Sequence, residues 1–197
     1  MSDPLQAIRA RVDCPADAVR WACVLEATAP KAGNVFPGMA FDDLCHLDFV
    51  VAAVIAAESL ADGDSPISSR VFEAVRRSVA ESGTNVNLGI LLLLGPLVGA
   101  DESLGQPAGG VDGLGTWRSA VEQYLSELSG DDGRRFFAAI SGSLAGGLGV
   151  IEEMDVRNTS GDEIDLIAAM RLAAADDRIA RQYACLLYTS PSPRDSC

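Results

Sequence analysis

Two short polar segments carry most of the residues able to do chemistry. The first is Thr28-Ala29-Pro30-Lys31-Ala32-Gly33-Asn34-Val35-Phe36-Pro37-Gly38, followed by Asp42, Asp43, His46 and Asp48. Lys31 is the only lysine of the chain, whose other cations are arginines. A compact ammonium between Pro30 and Gly33 suits a phosphate, because proline fixes the turn and glycine lets the backbone approach. Its plain alternative is an ordinary turn with a solvated lysine. Asp42 and Asp43 can hold Mg²⁺ against a polyphosphate, or one of them can take a proton from a hydroxyl nucleophile. If a helix opens at Asp42 or Asp43, as their position before an apolar run predicts, these acids also offset its dipole. His46 has no second histidine with which to form a ligand pair, and is expected to be structural.

The second segment, Gly83-Thr84-Asn85-Val86-Asn87-Leu88-Gly89, sets two asparagines two residues apart where an apolar helix begins. One cap needs one asparagine, so Asn85 caps the helix and Asn87 is left to bind base, ribose or phosphate at the positive helix end. Gly146-Gly147-Leu148-Gly149 follows no strand and fits no phosphate-binding loop.

The elements that must position these groups read as helices throughout. Pro15 opens a first helix that runs to Thr28, and a second is expected from Asp42 or Asp43 to about Leu60, apolar on more than one side. Ser65 and Pro66 introduce a third, with Val71, Phe72, Val75 and Val79 inward and Arg70, Arg76 and Arg77 solvated. A fourth is expected from Asn85 to Leu94, with Ile90 to Leu94 buried on all sides, before a surface loop from Gly99 to Gly115. Thr116 caps a fifth, Asp131 or Asp132 starts a sixth, and Ser160 to Glu163 reads as a capping box ahead of helical sequence continuing to Ala184. No stretch alternates as a strand does, so the expectation is an all-α, single-domain helical bundle.

Composition narrows the function. A chain of 197 residues, 48% hydrophobic, buries a sizeable single core. A formal charge of -13 argues against nucleic acid and anionic membrane as partners, since both need basic patches. No run approaches the roughly 18 apolar residues of a membrane span, and Met1 to Arg11 lacks the apolar stretch of a secretion signal, so a soluble, cytoplasmic protein is expected. Cys14, Cys23, Cys45, Cys185 and Cys197 form no metal-binding pair and are expected to be buried or inert thiols. Leu186 to Cys197 breaks the helical pattern and resembles a translated adapter end. The expected organisation is a truncated helical catalytic domain over 1–185 and a foreign or disordered tail over 186–197.

Pro30-Lys31-Ala32-Gly33-Asn34-Val35, the Asp42 to Asp48 cluster and Gly83 to Gly89 together resemble the triphosphoribosyl-dephospho-CoA synthase family. Gly146-Gly147-Leu148-Gly149, Glu153 to Val156 and Arg181-Gln182-Tyr183-Ala184 resemble its archaeal and planctomycete-type branch. The resemblance implies an all-helical transferase that uses ATP, with Mg²⁺, and 3'-dephospho-CoA, releases adenine and joins the triphosphoribosyl unit to the CoA ribose. It implies triphosphate and nucleotide contacts from Lys31, Gly33, Asn34, Asn85 and Asn87, with Asp42 and Asp43 as general base or Mg²⁺ ligands. The family's Pro-Lys-Pro-Gly stands here as Pro30-Lys31-Ala32-Gly33, and its Asn-Thr-Asn or Asn-Thr-His as Asn85-Val86-Asn87. Two other readings stay open at this point: the same transfer to a different acceptor, and a non-catalytic helical nucleotide-binding or interaction protein. Assembly into a homo-oligomer is compatible with either reading.

Overall fold

Proline at a first helical position sacrifices no hydrogen bond, and the first long helix does begin at Pro15. The computed structural model describes residues 5–31, 33–105, 113–143 and 164–187. In chain order its helices are α1 (Gln6–Arg9), α2 (Pro15–Thr28), α3 (His46–Leu60), α4 (Ile67–Ser82), α5 (Leu88–Leu104), α6 (Gly113–Ser126), α7 (Gly130–Gly142), α8 (Leu166–Ala173) and α9 (Arg178–Ala184). The described residues contain no strand, only an isolated bridge between Phe36 and Met39, so the fold is the all-α bundle expected from sequence. No helix among them is long and apolar enough to cross a membrane.

The bundle is layered around α3, α4 and α5. Helix α2 packs on α3, α3 on α4, α4 on α5 and α7, α5 on α6, and α8 on α9. Alanines at positions 52, 53, 56 and 57 let neighbours approach α3 closely, which is why it is buried on several sides.

Helix α5 runs farther than the sequence implies. It starts at Leu88 instead of Asn85, carries Pro96 in its interior and passes Gly99, the expected loop start, to end at Leu104. An interior proline removes the N–H that would bond the carbonyl four residues back, here that of Leu92. The hydroxyl of the fully buried Tyr183 donates to that carbonyl at 2.5 Å, so the helix continues without an orphaned acceptor. Of the run expected to be buried all round, Leu91 and Leu92 are buried, while Ile90, Leu93 and Leu94 are half-buried on the flanks.

Other boundaries move for local reasons. Helix α3 starts at His46, not at Asp42 or Asp43, because the Asp48 carboxylate accepts from the Cys45 N–H at 2.7 Å and fixes the entry there. Helix α6 starts at Gly113, ahead of Thr116. Ser129 caps α7, accepting from the Asp132 N–H. The predicted Ser160 to Glu163 box lies outside the described residues, and Asp165 caps α8. The continuous last helix is in fact two, since the Asp177 side chain accepts from Ala180 N and opens α9.

Arg70, expected on a solvated face, is buried: it donates to the carbonyls of Ser65 at 2.5 Å and Leu60 at 3.1 Å and pairs with Glu102. It thereby ties the α3–α4 turn to the end of α5. The cysteines also differ from one another. Cys23 is buried and its thiol is pushed up to about 12 by desolvation, Cys14 and Cys45 are exposed, and Cys185 is disulfide-bonded, contrary to the expectation of inert thiols throughout. Of the expected tail, Leu186 and Leu187 pack against the core, and residues from 188 onward lie outside the described set.

Candidate functional site

Helix α2 ends in a polar turn. Thr28 Oγ1 donates back to the Val24 carbonyl at 2.7 Å and lies 3.3 Å from His46 Nε2, so the last residue of α2 touches the first of α3. Lys31 pairs with Glu26 in the preceding turn of α2. Gly33 has a φ of +74°, and the Asn34 N–H reaches back to the Lys31 carbonyl at 3.3 Å. Asn34 Oδ1 then accepts from the Val35 N–H at 3.0 Å, turning Val35 inward. The chain reverses again at Pro37-Gly38, where Gly38 has a φ of +93° and Phe36 and Met39 exchange backbone hydrogen bonds. Proline followed by a positive-φ glycine is the sequence a type II turn requires.

Far apart in sequence, the two polar segments are joined by a small apolar cluster separate from the main core. Ala27 at the end of α2, Val35 in the turn, Phe49 and Ala52 on α3, and Val86 between the two asparagines are buried together, with Leu44 packed against them. Val86 therefore serves as one of the side chains holding Gly83 to Asn87 against the Lys31 loop. A second tie is polar: Asn87 Nδ2 donates to the Ala52 carbonyl at 3.2 Å.

The asparagines divide the work differently from the sequence expectation. Asn85 Oδ1 accepts from the Leu88 N–H at 3.0 Å and so closes the first turn of α5, leaving its amide hydrogens. Asn87, 8% exposed, spends its amide nitrogen on Ala52 and keeps its carbonyl oxygen without a hydrogen bond among the described residues. One residue thus retains donors and the other an acceptor, both at the N-terminal end of α5.

Asp42 and Asp43 lie in the loop before α3, exposed, and enter no hydrogen bond or ion pair among the described residues. No group of three His, Cys, Asp or Glu gathers as a metal site there. Two free carboxylates make no cage of their own, but they fit Mg²⁺, which is commonly held by one or two carboxylates together with substrate phosphates and water. Their removal from helix α3 leaves Asp48 as the acid in its first turn, so dipole compensation does not account for them.

The sequence places Thr28 at the head of the polar segment and Glu26 on the first helix without a role for either; the ion pair with Lys31 and the contact with His46 depend on the way the turn folds back. It also gave no sign of an open concavity of about 540 Å³ between α3 and α4, lined by Val51, Val54, Ile55, Glu58, Arg76, Arg77, Ala80 and Glu81.

Neither a curated protein nor a solved structure matches the chain. A family model described as ATP:dephospho-CoA triphosphoribosyl transferase matches residues 13–189, a span that takes in both polar segments and the apolar cluster between them. With nearly the whole chain matched, it belongs to the ATP:dephospho-CoA triphosphoribosyl transferase family.

Proposed function

We propose that this chain transfers the triphosphoribosyl unit of ATP to 3'-dephospho-CoA and releases adenine. A ribose hydroxyl of the acceptor attacks the anomeric carbon of the ATP ribose, forming the new C–O bond as the C–N bond to adenine breaks. The hydroxyl proton passes to a carboxylate, and the leaving adenine takes up a proton. The sugar passes through an oxocarbenium-like state, which a nearby carboxylate stabilises. In this reading Lys31, Gly33 and Asn34 hold the triphosphate, Asn85 and Asn87 meet the nucleotide, and Asp42 and Asp43 supply the base or the Mg²⁺ ligands. Mg²⁺, when bound, neutralises phosphate charge. That matters in a chain of formal charge -13.

The observation that carries the reading is the apolar cluster of Val35, Phe49, Ala52 and Val86, which joins a lysine turn to an asparagine helix mouth across some fifty residues of sequence. The pairing with Glu26 does not prevent Lys31 from meeting a phosphate, because exposed ion pairs of this kind are worth about 0–1 kcal/mol. The test is direct. Lys31→Ala should weaken ATP binding at least several-fold in calorimetry, whereas Asp42→Asn or Asp43→Asn should mainly remove adenine release with ATP still bound. Adenine release and ATP affinity that survive all three substitutions would refute the site.

A further inference from the structure

Adenine leaves the ribose as a neutral base only when a proton reaches one of its ring nitrogens, so the transfer needs an acid as well as a base. Free carboxylates are ionised at neutral pH, and amides hold their protons. Neither kind of group supplies that proton.

The contact between α2 and α3 fixes the protonation of a group that can. Thr28 Oγ1 has one proton to give, and it goes to the Val24 carbonyl at 2.7 Å. His46 Nε2, 3.3 Å from the same oxygen, must then be the donor, to a lone pair of the hydroxyl. Nε2–H is the tautomer so held, and the proton the ring gains and loses is the one on Nδ1. Nδ1 enters no hydrogen bond among the described residues, and the ring is half-buried, open on one side.

Contacts also place His46 among the site segments. Phe49 lies one turn along the same face of α3 and is buried with Val35 and Val86 in the minor cluster. Val86 stands between the two asparagines, and Asn87 bonds the Ala52 carbonyl a further turn along α3. Ahead of His46, Leu44 packs on the same cluster, and its carbonyl accepts from the Phe41 N–H at 2.8 Å, a bond that brackets Asp42 and Asp43. Thr28 itself stands three residues before Lys31. The imidazole is thus held where the lysine turn, the acid loop and the asparagine mouth of α5 meet.

We infer that His46 is the general acid of the transfer. Its imidazolium gives the Nδ1 proton to adenine N7, the five-membered-ring nitrogen not bonded to ribose, as the C–N bond breaks and its electron pair passes to the base. The acceptor oxygen forms the new C–O bond, and its proton goes to the carboxylate. Solvent afterwards returns a proton to the imidazole and takes one from the carboxylate. The role rests on the transfer reading above. Glu26 and Lys31 lie on the α2 side of the ring, and Asp42, Asp43, Cys45 and Asp48 on the chain entering α3. Carboxylates, thiols and ammonium groups ordinarily titrate outside pH 5 to 8, and His46 is the only histidine of the chain.

His46→Gln tests the role, because the glutamine amide nitrogen can replace Nε2 and keep the bond to Thr28 but has no proton to give. With dephospho-CoA as acceptor, adenine release should fall about 10²-fold or more, while the Kd for ATP in calorimetry stays within about threefold. Wild-type kcat should fall on the alkaline side of about pH 7, where imidazoles lose their proton, and that limb should vanish in His46→Gln. ATP with carbon in place of adenine N7 supplies a second measurement, which needs no variant. Wild-type protein should release its base about 10²-fold more slowly, and His46→Gln should slow it little further. A folded His46→Gln protein, judged by circular dichroism, that keeps the wild-type rate or the alkaline limb overturns the role and leaves the transfer reading standing. So does wild-type release of the N7-lacking base as fast as adenine. Wild-type protein that releases no adenine defeats the transfer reading, and the role with it.

Discussion

A single hydroxyl decides whether α5 can exist in its observed form. Pro96 sits nine residues into that helix and withholds the hydrogen bond from the Leu92 carbonyl, which the Tyr183 hydroxyl replaces at 2.5 Å. Burial holds the Tyr183 hydroxyl in its neutral form, pushing its ionisation well above the usual range, so it remains a donor across any working pH. Tyr183→Phe leaves a buried carbonyl unsatisfied and should cost about 1–3 kcal/mol in denaturant unfolding. In a Pro96→Ala background an N–H returns to take that carbonyl, so the same substitution should cost measurably less. A double-mutant cycle with no coupling between the two sites would show that the hydroxyl does not substitute for the missing N–H.

Among the elements, the junction of α7 with α4 depends on one carboxylate. Asp132 accepts from the N–H and hydroxyl of Ser129 at 3.0 and 2.6 Å and from Ser68, on α4, at 2.6 Å. Partial burial by itself would raise its pKa, but these hydrogen bonds and Arg135 outweigh burial, and the carboxyl titrates below its ordinary value. A depressed carboxylate adds stability that is present above the unfolded pKa, near 4, and fades as pH falls through the folded value. Asp132→Asn should therefore lower stability by about 1 kcal/mol at neutral pH, with the gap to wild type closing as pH drops below about 4 in urea titrations. A gap that is constant down to pH 2 would point to lost packing instead. Gly133, next along α7, resists substitution for a different reason: a Cβ there would run into the Ile164 carbonyl, so alanine destabilises despite its better helix propensity. These contacts also mark where sequence stops being legible. Periodicity and Pro15 located α2, α3, α4 and α7 to within a turn or a few residues, because local caps and apolar spacing fix them. The extent of α5 and the burial of Arg70 depend on Tyr183 and Glu102, partners 91 and 32 residues away, and no local pattern announces them. The same holds for the site. Residue type singled out Lys31, Asn85 and Asn87, but the division of donors and acceptors between the two asparagines follows from Ala52 and Leu88.

For the molecule as a whole, stability and site geometry reside in different apolar clusters. The main core draws on α2 to α9, whereas the site segments are held by the minor cluster of Ala27, Val35, Phe49, Ala52 and Val86 with the Asn87–Ala52 hydrogen bond beside it. Val86→Ala removes two methyl groups from that minor cluster, a loss of about 1.5–2 kcal/mol, or a fall in Tm of roughly 3–8 °C for a chain of this size. Val71→Ala removes the same groups from the main core, where Val71 is fully buried between α4 and α5, so its stability cost should be equal or larger. Their effects on catalysis should diverge. Shifting Gly83 to Asn87 by a fraction of an ångström relative to the Lys31 turn misaligns donor and base, and a misplacement of about 1 Å can cost about 10²-fold in rate. We therefore expect Val86→Ala to lower kcat for adenine release by about tenfold or more, and Val71→Ala by much less, when both are assayed well below their Tm. Amide exchange supplies an independent reading: in Val86→Ala, protection should fall together at Val35 and Leu88, whose N–H groups bond the Asn34 and Asn85 side chains, and stay unchanged at Leu92, which the main core holds. Equal losses of kcat in the two variants, or loss of protection spread evenly over α4 and α5, would mean that one cooperative core positions everything and that the minor cluster has no separate role.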